Sequence, residues 1–237
     1  MEPLITFGET VVLVVVGLGL RFLIALVGLA LIVAPFVVVF WAVRNIEGMR
    51  ERAHGLVHVG RLMWRRGLLY ASGHTWVSEE GPDVVKVGID DLAQHVLPGL
   101  LHWRVAEAGA TVYQGQVLAE AACASGRAYI ASPIDGTVVS VNADLERHPA
   151  LPNKDPYGRG WLAMIAPVQI DYERLRTGDV ARQWFAREDT RLSAFFEREL
   201  GVAAADGGEF IEPAPALLTP ECWRDLTIEF LGTAPPQ

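Results

Sequence analysis

The sequence predicts an N-terminal transmembrane α-helix followed by a mainly-β barrel-sandwich domain with C-terminal amphipathic helices. Three observations carry this. Residues 22–43 form one long apolar stretch without a charge, and they account for much of a hydrophobic content of 51%. Short runs rich in β-branched and aromatic residues, separated by Gly, Pro and Asp, follow between residues 71 and 167. Beyond them, apolar residues recur at helical spacing between 168 and 200.

Within residues 1–21 the run VVLVVVGLGL is apolar but too short to span a bilayer alone, and Gly17 and Gly19 weaken a helix there. It lies either in the outer interface or against another subunit. Arg21 reads as a side chain that snorkels to the interface. Residues 22–43, as a helix rising about 1.5 Å per residue, span roughly 33 Å, enough for the hydrocarbon core. Pro35 is placed to kink this helix, and Trp41 suits the interfacial aromatic belt. A cleaved signal peptide fits less well, because the early charges are Glu2 and Glu9 and the basic residues follow the apolar run.

Residues 44–70 read as a basic juxtamembrane linker. Arg44, Arg50, Arg52, Arg61, Arg65 and Arg66 stand there against Glu47 and Glu51. By the positive-inside rule the N-terminus faces out and the large C-terminal part is cytoplasmic, at the inner membrane, in a single-pass arrangement. Arg61, Arg65 and Arg66, with Trp64 between them, are candidates for contact with anionic headgroups or with another subunit. His54 and His58 are four apart and would share one face of a helix, but no third metal ligand accompanies them.

The β runs are His74–Val77, Val84–Ile89, Leu100–Val105, Thr111–Ala121, Arg127–Ser132, Gly136–Asn142 and Gly160–Pro167. Between the second and third, DDLAQHVLP reads as a short helix capped by Asp90 or Asp91 and ended by Pro98. Pro133 to Gly136 reads as a β-turn, and Asn153 to Gly158 as a tight loop started by Asp155-Pro156. Residues 168–200 are expected to form one or two amphipathic helices with Val180, Trp184, Phe185, Leu192, Phe195, Phe196 and Leu200 on the apolar face. Residues 201–237 are acidic and rich in Ala, Gly and Pro until ECWRDLTIEFLG, whose apolar residues pack either on the chain's own domain or on a neighbour. Trp184, Phe195, Phe196 and Trp223 are therefore further interaction candidates.

The net charge of −8, with no basic footprint on the main domain, argues against nucleic acid as a partner. Cys123 and Cys222 lack CxxC spacing and a neighbouring His cluster, so neither a metal site nor a disulfide framework is indicated. No Ser, Cys or carboxylate arrangement surrounds His95, His102 or His148, and no catalytic triad is expected.

The 71–167 region resembles the glycine cleavage H protein, a lipoyl-type β-sandwich. The resemblance rests on His74-Thr75-Trp76-Val77, on Val87-Gly88-Ile89 with Leu92-Ala93-Gln94, and on the Gly109, Val112 and Gly115 turn pattern. It continues through Ser132-Pro133-Ile134-Asp135-Gly136, Val138, Val141-Asn142, and Asn153-Lys154-Asp155-Pro156-Tyr157-Gly158 into Gly160-Trp161-Leu162. In that family the hairpin before the Pro-containing turn displays a lysine that carries lipoate between partner enzymes. Ten residues on from Gly115, and eight back from Pro133, the resemblance places that position at Ser125. The hairpin here reads Ala122-Cys123-Ala124-Ser125-Gly126-Arg127 where the family has Glu-Ser-Val-Lys and a small residue. A hydroxyl cannot form the lipoyl amide, Arg127 keeps its proton, and the only lysines are Lys86 and Lys154. No cofactor is therefore expected.

These readings lead to a non-catalytic, membrane-anchored adaptor subunit of a larger membrane complex, with respiratory or photosynthetic electron-transfer assemblies as the first class to search. The alternative is a degenerate carrier that still meets lipoyl-dependent enzymes or relays thiols through Cys123. The anchor reading predicts that the chain stays with membranes through an alkaline carbonate wash and is released by detergent. Deleting residues 1–43 should move it to the supernatant in the same fractionation.

Overall fold

The computed structural model describes residues 55–200 and 214–232, with residue 29 and residues 32–36 besides. The chain divides into two units, residues 1–54 and 55–237. In the first unit, residues 29 and 32–36 are helical, and the side chains of Leu29, Ile32, Val33 and Phe36 are exposed. The rest of the expected membrane helix, residues 1–21, residues 44–54 with His54, and residues 201–213 lie outside the described residues. Among the described residues no helix is long and apolar enough to cross a membrane.

The second unit is a mainly-β sandwich with helices. Strands β1 (Leu56–Val59) and β2 (Leu62–Arg65) form a hairpin. A six-stranded sheet follows the order β3 (Leu69–Tyr70), β4 (Thr75–Glu79), β5 (Val85–Ile89), β11 (Trp161–Gln169), β10 (Asp135–Val141) and β7 (Thr111–Val112). A three-stranded sheet is ordered β6 (Leu100–Val105), β8 (Val117–Cys123) and β9 (Gly126–Ala131). Every pairing among these described strands is antiparallel. The expected run at 111–121 divides into β7 and β8, because Gly115, at φ +82°, turns the chain between them. Alternate residues Val77, Val85, Val87, Leu118, Val138, Ala163 and Ile165 point inward and make one core between the sheets.

The motifs singled out in the sequence act as brackets for this sandwich. Trp76 lies across Gly88, its partner on β5, where a Cβ would come within 2.5 Å of the indole. Its Nε1 donates to the carbonyls of Ile89 at 2.8 Å and Pro156 at 3.1 Å, which ties β4 to the turn before β11. Helix α1 (Asp91–Val96) is capped by Asp90, whose carboxylate accepts from the Ala93 amide at 3.0 Å. At its other end Asn153 Nδ2 donates to the carbonyls of Gln94 and Leu97. Asn153 and Lys154 belong to a short helix, α3 (Leu151–Lys154), which follows α2 (Asp144–Arg147), so the expected loop at 153–158 begins as helix.

The basic linker expected at 44–70 is corrected over its described part. Residues 56–65 are the β1–β2 hairpin, not an extended juxtamembrane segment, because their alternate side chains Leu62 and Trp64 are buried and their arginines have distant partners. The Tyr157 hydroxyl donates to the Met63 carbonyl at 2.6 Å, the Tyr70 hydroxyl donates to the Arg65 carbonyl at 2.9 Å, and the Met63 amide donates to Asp91 at 2.7 Å. His58 sits on β1, so the helical face expected for His54 and His58 is not formed there.

Helix α4 (Gly178–Leu200) is one helix, not two, and buries Ala181, Trp184, Phe185, Glu188, Leu192, Phe195 and Phe196. Val180, expected on its apolar face, is exposed, and its neighbour Ala181 takes the inward position of the first turn. Helix α5 (Pro220–Leu231) begins at Thr219, whose hydroxyl accepts from the Cys222 amide, and ends at Gly232 in the left-handed conformation. It packs in cis, with Trp223, Leu226, Phe230 and Leu231 buried in the same cluster as α1, α4 and the hairpin. Trp223→Ala should lower the stability of this unit by roughly 3–5 kcal/mol, the usual cost of emptying a large core aromatic, measured by urea unfolding.

Candidate functional site

The hairpin β8–β9 closes through Ala124 and Ser125, with Cys123 paired to Gly126. The Ala124 amide donates to the Gly99 carbonyl at 3.2 Å, so the turn is pinned to the loop before β6. Ser125 is half-buried at the tip, and no hydrogen bond to its hydroxyl occurs among the described residues. An unassisted serine hydroxyl is a poor nucleophile. On the flank, Glu120 lies 3.2 Å from Arg127 and 3.7 Å from Arg104, a cross-strand charge set on an exposed face.

The base of the hairpin is covered by α5. Trp223 lies against Gly126, where a Cβ would come within 2.9 Å of the ring, and its indole donates to the Val96 carbonyl at 3.0 Å. Cys123 is buried beneath this cover, 6% exposed, and burial pushes its thiol up to about 12. Such a thiol stays protonated near neutrality and is a poor relay. Neither lysine is on the hairpin: Lys86 is on β5 and pairs with Glu80 at 2.9 Å, while Lys154 is exposed at the end of α3.

Most residues expected to face a partner are instead used within the chain. Trp64, Trp184, Phe195, Phe196 and Trp223 are all buried. Arg61 pairs with Asp189 of α4 at 3.1 Å, and Arg65 Nη1 donates to the Tyr157 carbonyl. Arg66 alone of these eight is exposed. Their apolar and basic character reads the same in sequence whether the partner is another molecule or a distant part of the same chain. The exposed apolar positions are others, among them Leu101, Tyr113, Val139 and Val168.

One cluster was not legible as a cluster: the sequence marks His74, Asp90 and Trp184 separately and gives no sign of Glu188. His74, at the entry to β4, has φ +56°, the left-handed region unusual for a residue with a side chain, and is 1% exposed. Its Nδ1 is 2.8 Å from Asp90, its Nε2 is 3.7 Å from Glu188, and its ring stacks on Trp184 at 4.6 Å. The longer distance is an ionic contact rather than a hydrogen bond. Burial alone would lower the imidazole's pKa, but the charges of Asp90 and Glu188 outweigh it and raise it to about 9. Glu188 is pushed up by burial and more than brought back by His74 and Arg191, so it is held below the usual carboxylate range; Arg191 donates to it at 2.6 Å. This is a fastening between sandwich and helix, enclosed and without access for a substrate. Among the described residues no three His, Cys, Asp or Glu side chains group so as to hold a metal ion.

With this geometry in place, comparison with known proteins is specific. A family model described as glycine cleavage H-protein matches residues 68–185. The glycine cleavage system H protein of Acinetobacter baumannii (strain AYE) is 42% identical over 111 residues, covering 46% of this chain and 89% of that protein. The glycine cleavage system H protein of Mycobacterium avium (strain 104) is 41% identical over 95 residues, 40% of this chain and 72% of that protein. The crystal structure of a glycine cleavage system H protein from Mycobacterium marinum matches at 27% identity with a TM-score of 0.47, over 54% of this chain and 99% of that one.

The buried histidine predicts a pH dependence. A pKa raised in the folded state stabilises fully below the unfolded value near 6.5 and is lost as pH rises through about 9. The unfolding free energy from urea titrations should therefore fall between pH 6.5 and 9.5, by an amount on the order of 2–3 kcal/mol. The fall should shrink in Glu188→Gln, followed by Trp fluorescence.

Proposed function

Because the chain belongs to the glycine cleavage H-protein family, we propose that its second unit is a docking module that keeps the family's sandwich without the carrier group. Residues 22–43 hold it at the cytoplasmic face of the membrane as a non-catalytic subunit of a larger assembly, respiratory or photosynthetic electron-transfer complexes being the first class to search. The observation that carries this reading is the hairpin. Its tip is Ala124-Ser125, neither of the chain's lysines is on it, and its base is covered by α5 through Trp223 on Gly126.

The rest of the chain supports the same reading. The bracket residues Trp76, Gly88, Asn153 and Pro156 preserve the sandwich, and the hairpin tip adds nothing to either core. Fold and chemistry are separable in this way, so a scaffold can outlast its reactive group. The thiol relay through Cys123 is the weaker alternative, since the sulfur is buried and held protonated.

Purification from native membranes in mild detergent, with mass spectrometry of whatever co-migrates on a native gel, tests this. The expected result is a stoichiometric assembly with other membrane subunits and no lipoyl adduct on the intact chain. A lone chain, or one accompanied by lipoyl-dependent enzymes, would overturn the adaptor reading.

A further inference from the structure

We propose that the cleft between β4, the segment leading into α4 and the C-terminal end of α5 binds a small oxyanion, a carboxylate or a phosphate, through the Arg176 guanidinium and the Thr75 hydroxyl. The cleft has a volume of about 820 Å³ and lies against Gly73, Pro133 and Gly232 as well as these two residues. That is the size of a small-molecule pocket rather than of a packing defect.

Arg176 is held firmly and yet is chemically unfinished. Its backbone exchanges two hydrogen bonds with Tyr70, at 2.8 and 2.9 Å. Its guanidinium lies over the Trp184 ring at 4.8 Å, which fixes the plane of the fork. Nη1 is nevertheless buried with no hydrogen-bond partner, and Arg176 forms no ion pair among the described residues. Thr75, 0% exposed, likewise buries its Oγ1 without a partner. A buried donor left unmatched costs about 1–3 kcal/mol, more when charged, and here two such atoms belong to residues that line one cleft.

The chemistry of the missing group follows from what is already matched. Arg174 is held by Asp171 at 3.1 Å and Arg191 by Glu188 at 2.6 Å, while Glu229 pairs with Arg191 and Arg198. Among the described residues Arg176 is therefore the cation on this cleft left without a counter-charge. A guanidinium offers donors and no acceptor, and a hydroxyl can supply one more donor, so the complement is an acceptor-only oxyanion. Glu173 and Glu229 also border the cleft. They disfavour a polyanion and favour a ligand of low charge.

The test uses the full-length chain in mild detergent, titrated separately with acetate and with inorganic phosphate at fixed ionic strength. The readout is the side-chain Nε–H resonance of Arg176, assigned through Arg176→Gln, together with calorimetry. Saturable binding of at least one probe is expected, weakened at least tenfold in both Arg176→Gln and Thr75→Val and changed less than twofold in Arg104→Gln on the hairpin flank. Acetate and phosphate binding together identify a general oxyanion site, and saturation by one alone identifies its class. Non-saturating responses to both probes, or affinity unchanged in the variants, would overturn the proposal. If Arg176→Gln does not fold, the near-isosteric Thr75→Val decides it.

Discussion

The second unit depends on a charge that has nowhere to go. His74 is enclosed, and its protonated ring is tolerable only because Asp90 and Glu188 stand on either side of it. Those two carboxylates come from different elements. Asp90 also caps α1 through its second oxygen, and Glu188 belongs to α4. Displacing any one of the three leaves a buried charge uncompensated, so sandwich, short helix and long helix have to be correct together. The other long-range contacts build outward from the same helix. Asp189, the next residue, holds the β1–β2 hairpin through Arg61, and Phe195 meets Phe230 of α5 edge to face.

Where local pattern decides structure, the sequence was readable. Leu100–Val105 is a strand with the expected ends, and Asp90 caps the helix that DDLAQHVLP announces. Alternation, turn residues and capping are properties of neighbours along the chain. The β1–β2 hairpin was missed because arginines after an apolar stretch look alike beside a membrane and beside Asp189, more than a hundred residues away. Glu188 was missed because a stripe of apolar residues is read by omitting charges, and its justification lies with His74 on another element. Thr75 was legible as part of a strand, and Arg176 lay in a stretch read only as helix, not the bridge to Tyr70 that it forms; its seat beneath Trp184 and beside Tyr70 depends on folding that joins distant elements. The tail's composition fitted cis and trans packing equally, and only the complementary surface of Gly126 and Val96 selects one.

The most specific sequence motifs turn out to serve architecture. Trp76 over Gly88, Asn153 under α1 and Asn142, whose amide donates to the carbonyls of Arg159 and Trp161, fasten turns that would otherwise carry unmet backbone groups. The tip of β8–β9 has no such duty. The side chains of Ala124 and Ser125 belong to neither core, so they can change while the contacts that hold the fold stay constant.

The limits of the folded body therefore do not coincide with the limits of the family likeness. A fragment cut at residues 68 and 185 would remove the β1–β2 hairpin, and would sever α4 between Phe185 and the Glu188 that neutralises His74. It would also shed α5 and lay bare the aromatic faces that α5 and α4 now bury. Such a piece would be sticky and short of its own fastenings, whereas one running from Gly55 to Gly232 keeps every described element of the unit together. In this chain the additions at either end have become part of the domain's interior, and boundary choice for any recombinant expression has to follow that interior.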